Sequence, residues 1–235
     1  MKHYVLPALA SAALAMPAEA QVQVTSSGPV VELTVSESVQ VAPDIATVSA
    51  GVTTQAPTAS EAMRANAQTM TAVVARIKQL GIPERDIQTT GINLGQQFDF
   101  DRDTQRQVFR GFQVSNRVSV KLRDVARTGE VLDALVAAGA TDIGGPDFSV
   151  DDDTAARAQA RQTAMATART LALDYARGAG FADVRLLQVR EGISQQPPMP
   201  MFRMQAQDVS AASTPVQPGM VQSGVSVTVT YELTR

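Results

Sequence analysis

Three short constellations in this 235-residue chain carry the residue types that chemistry needs. Asp99-Phe100-Asp101-Arg102-Asp103 opens like a calcium loop, with carboxylates at alternate positions. Thr104 then stands where the sharp turn needs glycine, and Arg110 where a bidentate glutamate belongs. Arg102 and Arg106 add opposing charge, so a solvated hairpin tip is the expected outcome. Asp151-Asp152-Asp153 offers carboxylates for a cation or for proton transfer. Its place just before a helical stretch favours capping and dipole stabilisation, about 0.3–1 kcal/mol for each charge. The third group is Met199-Pro200-Met201-Phe202-Arg203-Met204, with Met220 beyond. Thioethers are soft Cu(I) ligands, reversible oxidant targets and adaptable apolar contacts. Arg203 opposes the metal reading. Met199, Met201 and Met204 are therefore weak candidate metal ligands, beside an oxidant sink, a partner or membrane contact, and a plain connector. No catalytic residue and no cofactor is assigned.

Absences exclude more than these groups suggest. Lys2 and His3 precede an apolar run from Tyr4 to Met16, and Ala18-Glu19-Ala20 is a small-x-small site. That order predicts a secretory signal peptide cleaved after Ala20. The run is shorter than the roughly 20 residues a bilayer span needs. Cleavage removes His3, the only histidine, and the chain has no cysteine. The exported product then lacks Ser-His-Asp or Cys-His chemistry and zinc sites of nitrogen and sulfur ligands. It also lacks any side chain that ordinarily titrates near neutrality. Without cysteine there is no lipid attachment point, so a free periplasmic protein with no membrane-spanning helix is expected. A net charge of −3 argues against nucleic acid as a partner.

The elements that must position these groups alternate between periods of 2 and 3.6. Val31, Leu33, Val35, Val39 and Val41 share one face, and after Pro43-Asp44 the alternation resumes at Ala46, Val48, Ala50 and Val52. This predicts a hairpin, with a bulge at Ser36-Ser38. Thr58 and Glu61 form a capping box for a helix whose stripe runs Met63, Met70, Val73, Val74, Ile77 and Leu80. Asn66 lies on that stripe and is expected to be a satisfied core amide or an edge residue. Strands are predicted over Asp86–Leu94, Gly111–Leu122, Asp142–Val150, Asp183–Ile193 and Val225–Leu233. A polar tip around Asp99–Gln107 is expected between the first two.

A second helix, about Val125–Ala138, takes Asp124 as its cap and turns Leu132, Leu135 and Val136 inward. A third follows the aspartate cluster and ends near Gly178 or Gly180. It carries an i, i+4 ladder of Ala156, Ala160, Ala164, Ala168, Ala172 and Ala176, small enough for close packing. Three joints repeat one grammar of helix, glycine, spacer, Asp-[Ile/Val] and strand, at Gly81, Gly139 and Gly180. The expected fold is α+β, about seven strands in a mixed or antiparallel sheet with three helices packed on it. The expected organisation is a signal peptide at 1–20, a flexible segment at 21–29 and one domain at 30–235, with a Pro/Met-rich loop at 194–222.

The order of motifs resembles a known family. It rests on Ala42-Pro43-Asp44-x-Ala46, Ala62-Met63-x-x-Asn66-x-x-x-Met70 and Gly81-Ile82…Asp86-Ile87-x-Thr89-x-x-Ile92, followed by Gly111-Phe112-x-Val114, Ala160-Arg161-x-x-Ala164-Met165 and Pro197-Pro198-Met199-Pro200-Met201. Together these resemble the SIMPL-domain family, and within it the periplasmic immunogenic proteins of Gram-negative bacteria, from about Val30 to Arg235. Ser36 and Ser38 depart from the glycines the family often has there. The resemblance implies a periplasmic or envelope-associated, non-enzymatic protein that forms homo-oligomers and is linked to oxidative-stress tolerance. It supplies no catalytic residues. Edge strands favour self-association, and the 194–222 loop is a possible contact for an envelope protein or a membrane surface.

Overall fold

The computed structural model describes residues 26–103, 105–194 and 214–235. Seven strands and three helices make an α+β fold, with the strands divided between two antiparallel sheets. The terminal sheet has the order β1-β7-β6, from β1 (Val30–Val41), β7 (Val221–Thr234) and β6 (Asp183–Ser194). The central sheet has the order β3-β4-β2-β5, from β3 (Ile87–Asp101), β4 (Arg106–Leu122), β2 (Ile45–Ala56) and β5 (Asp142–Ser149).

The expected hairpin at Pro43-Asp44 is therefore corrected: β1 pairs with β7, and β2 pairs with β4 and β5. Alternation marks a strand and its faces but not its neighbour, and the turn residues redirect the chain from one sheet into the other. The bulge expected at Ser36-Ser38 is also absent, since β1 and β7 run in unbroken register. The tight approach there falls on β7. A Cβ at Gly224 would lie 2.5 Å from the Glu37 carbonyl and 2.9 Å from the Ser38 Cβ.

Each sheet buries one face under helices. On the terminal sheet, α3 (Thr154–Gly178) lays Ala160, Ala164, Ala168, Ala172 and Ala176 against Val35, Val184, Val225, Val227, Val229 and Tyr231. Methyl-sized side chains let the helix axis approach the valine surface closely, which longer residues at those positions would prevent. On the central sheet, α1 (Ala59–Gln79) and α2 (Thr128–Ala137) cover Ala46, Val48, Ala50, Val52, Val118 and Val120. Short 3-10 turns at Glu84–Asp86 and Val125–Arg127 precede β3 and α2. The three glycine joints all take positive φ, +85° at Gly81, +103° at Gly139 and +83° at Gly180, where a Cβ would strain the backbone.

The capping box forms with its roles altered. The Glu61 N–H donates to the Thr58 hydroxyl at 3.3 Å, and that hydroxyl donates in turn to the Glu61 carboxylate at 2.8 Å. Asn66 is 2% exposed, and its amide nitrogen donates to the Val52 carbonyl at 2.8 Å and the Val114 carbonyl at 3.3 Å. Both neighbours are acceptors, so the amide can only face them with its nitrogen. One side chain thus ties α1 to β2 and β4.

Two inward assignments are corrected: Val136 and Met63 are both exposed. Asp124 marks the start of its turn without a capping hydrogen bond from its side chain.

Candidate functional site

β3 and β4 run past the end of the helical layer as one long hairpin arm. The sequence expectation ended the first strand at Leu94, whereas pairing continues to Asp101 opposite Arg106. Residues paired across an antiparallel ladder share a face. Ile92, Leu94, Gln96, Phe98 and Phe100 therefore stand with Phe112, Val114 and Asn116 on the helix side of the sheet. α1 lies over β2 and β4, so Ile87 at the start of β3 still packs on the core, whereas the helix-side apolar residues from Ile92 onward stay exposed. Phe100 is 60% exposed and Ile92 58%, and Leu94, Phe98 and Phe109 are also exposed.

The aromatic rings order one another. Phe98 and Phe109 meet edge to face at 5.6 Å between centroids, and Phe109 and Phe112 at 5.4 Å. A register shift between Gln97 and Phe98 places an extra residue on β4 and brings Phe109 opposite Phe98. Gly111 makes this possible at φ +139°, where a Cβ would sit 2.5 Å from the Ala56 carbonyl. Asn116 adds a buried Oδ1 that has no hydrogen-bond partner among the described residues. On the far side, β3 is an edge strand that pairs with no further strand among the described residues.

Of the sequence constellations within the described residues, Asp99–Asp103 forms the tip of this arm and Asp151–Asp153 precedes α3, and the two do not come together as one carboxylate group. At the tip, Asp99 pairs with Arg110 at 2.8 Å, and Asp101 accepts the Asp103 N–H at 2.9 Å, closing a local turn. Asp151, Asp152 and Asp153 also turn to separate partners. Asp151 accepts from Arg123 at 2.7 Å and Lys121 at 3.4 Å, and these contacts hold its carboxyl below its usual range. Asp152 accepts the Thr154 N–H at 3.0 Å at the start of α3. Burial pushes the Asp153 carboxyl up, but the Ser223 hydroxyl and Arg157, both at 2.7 Å, more than offset it.

Arg123 also grips the buried Asp86 through two bonds at 3.0 and 3.2 Å, which lower that carboxyl against the opposing effect of burial. The Asp151 N–H donates to Asp44 at 2.8 Å, so this network spans both connections from one sheet to the other. Among the described residues, no three His, Cys, Asp or Glu side chains are grouped to hold a metal.

Met199, Met201 and Met204 lie outside the described residues, as does the expected cleavage after Ala20. Met220 is exposed just before β7. The residues missed by sequence reading are the arm's apolar ones. Their signal was present: four of the seven phenylalanines fall between positions 98 and 112.

The architecture is that of an α+β protein with helices on one face of each of two antiparallel sheets. The chain belongs to the SIMPL family, whose model, described as "Protein of unknown function (DUF541)", matches residues 31–231. It is 34% identical over 230 residues to the 26 kDa periplasmic immunogenic protein of Brucella melitensis, covering 94% of this chain and 92% of that one. The protein of that name from Brucella abortus is 33% identical over the same length. The uncharacterized protein YggE of Escherichia coli K12 is 27% identical over 194 residues, covering 83% and 78% of the two chains. Among the described residues, no helix is long and apolar enough to cross a membrane.

Proposed function

We propose that this SIMPL-family chain is a periplasmic, non-enzymatic protein that acts by self-assembly or partner binding through the β3–β4 arm. The carrying observation is the exposed stripe of Ile92, Leu94, Phe98, Phe100 and Phe109 on an edge hairpin. Covering any one of these side chains fully is worth about 1.5–3 kcal/mol. A free strand edge beside them adds backbone hydrogen bonds to a partner strand. Periplasmic location is supported by the names of the Brucella relatives and by the signal-like order of residues 1–20.

Light scattering behind size exclusion tests the assembly. The expressed and processed chain is expected to give a mass several times the monomer's. A variant carrying Phe98→Ser, Phe100→Ser and Phe109→Ser is expected to fall to monomer with an unchanged far-UV spectrum. A wild-type monomer at 100 μM that captures no envelope protein refutes the reading. N-terminal sequencing of the exported product tests cleavage after Ala20.

Exposed Met220, close in sequence to Met199, Met201 and Met204, favours a second reading, in which the methionines take up oxidant or Cu(I) and so serve stress tolerance. Oxidant sensitivity unchanged on replacing all four by leucine, together with no Cu(I) bound by the wild type, excludes it.

A further inference from the structure

Away from the arm, an open cleft of about 300 Å³ lies between the end of α1, the end of β4 and the start of α2. Its walls are apolar: Leu80, Ile82 and Pro83 on one side, Leu122 and Val131 on the other. That volume is at the lower limit for small-molecule sites, which pair an apolar lining with a few placed polar groups. Asp86, Lys121, Arg123, Asp124 and Arg127 supply the charges.

The cations are already committed. Lys121 pairs with Asp151, and Arg123 with both Asp86 and Asp151. Arg127 lies on Glu130 through bonds of 3.0 and 3.1 Å. Arg85 and Arg76 act on Asp86 and Glu130 from outside the lining. Among the described residues, Asp124 alone of the lining carboxylates makes neither a hydrogen bond nor an ion pair, and it feels Arg127 only at longer range. The cleft thus combines an apolar body with one uncommitted negative charge.

We propose that this cleft binds a small organic monocation, a primary ammonium on a short apolar chain. The ammonium sits on Asp124, and the chain lies against Leu80, Ile82, Leu122 and Val131. An organic anion is disfavoured because the charge of each lining cation is already balanced by a carboxylate, Lys121 and Arg123 by Asp151 and Asp86 and Arg127 by Glu130.

The test is NMR titration of the full processed chain with n-hexylammonium chloride, against sodium hexanoate as the anion of the same length. Hexylammonium is expected to give saturable amide shifts confined to residues 80–83 and 121–131. Asp124→Asn is expected to weaken it about fivefold, the worth of one solvent-exposed ion pair. Asp124→Glu is expected to restore binding to within about twofold. Asp124 is exposed, so both variants should keep the wild-type circular dichroism. Arg127→Ala, which frees no carboxylate that the ligand needs, should bind at least as tightly as wild type. Hexanoate binding as tight as hexylammonium, an unchanged affinity in Asp124→Asn, or no saturable shifts overturns the proposal. None of these outcomes depends on the oligomeric state.

Discussion

Replacing Asn66 by aspartate removes both amide donors while keeping the side chain's shape, and sets a carboxyl against two carbonyl oxygens at 2.8 and 3.3 Å. At 2% exposure water cannot solvate the charge, so the folded protein must keep that carboxyl protonated. In the unfolded chain it titrates near the ordinary aspartate value of about 3.9. The folded state then binds more protons than the unfolded state above that value, so stability falls as pH rises. Each pH unit costs about 1.4 kcal/mol while the folded carboxyl stays neutral, giving about 4 kcal/mol between pH 4 and pH 7. That is a large part of the 5–15 kcal/mol by which a domain of this kind is ordinarily stable.

Near pH 4 the protonated acid still donates one hydrogen bond, so the variant should lie within about 1–2 kcal/mol of wild type. Urea unfolding followed by far-UV circular dichroism is the assay, because the chain has no tryptophan. Asn66→Ala is the control. It should lose a constant amount, about 1–3 kcal/mol for each carbonyl left without its partner, at every pH. A gap between wild type and Asn66→Asp that stays flat from pH 4 to pH 7.5 refutes the assignment of Asn66 as the buried tie between α1 and the central sheet.

Two further predictions test the terminal sheet. Ala168→Leu should destabilise by about 1–3 kcal/mol through overpacking under α3, whereas Ala166→Leu on the exposed side should be near neutral; equal melting temperatures for the two would contradict the ladder. Glu232 is buried and bonded to Arg185 and to the Ser27 N–H and hydroxyl, and these contacts hold its carboxyl at about 2. A depressed carboxyl contributes stability above its unfolded value of about 4.3 and loses it as pH falls toward 2. Glu232→Gln should therefore melt below wild type at pH 6, with the difference closing between pH 4.3 and 2. A difference that persists unchanged at pH 2 would refute the contact's role.

Local physics made much of the fold legible in the sequence. The glycine joints, the Thr58 cap, the alanine ladder and the alternation of β7 each depend on a few neighbouring residues, and each appears in the structure. What was not legible is pairing between distant strands. Nothing near Val31 or Val41 specifies β7 as the partner, because the same alternation would suit β2 equally well. The arm was missed for a related reason. Asp99, Arg102 and Asp103 read as a turn, and they mask the fact that Phe98 and Phe100 continue the alternation of Ile92 and Leu94. Met63 and Val136 fit an apolar stripe by spacing, but a helix buries only the arc that its sheet reaches. The aspartate cluster at 151–153 was read correctly as helix-start chemistry for Asp152, while the Ser223 and Arg123 partners of its neighbours lie far along the chain.

The position of β7 between β1 and β6 has a consequence for how the chain is made. The central sheet draws all its strands from one continuous stretch, Ile45 to Ser149, so its partners are present well before β7 is synthesised. The terminal sheet has no such independence: Val30 faces Glu232, and among the described residues β7 is the only strand that pairs with β1 and with β6. A chain cut short before Val221 would carry two orphan strands, and α3 would lose the valines beneath its alanines. Exposed edges of that kind invite pairing with other chains. Strand β7 therefore closes the terminal sheet, and no chain that stops before it can complete the molecule.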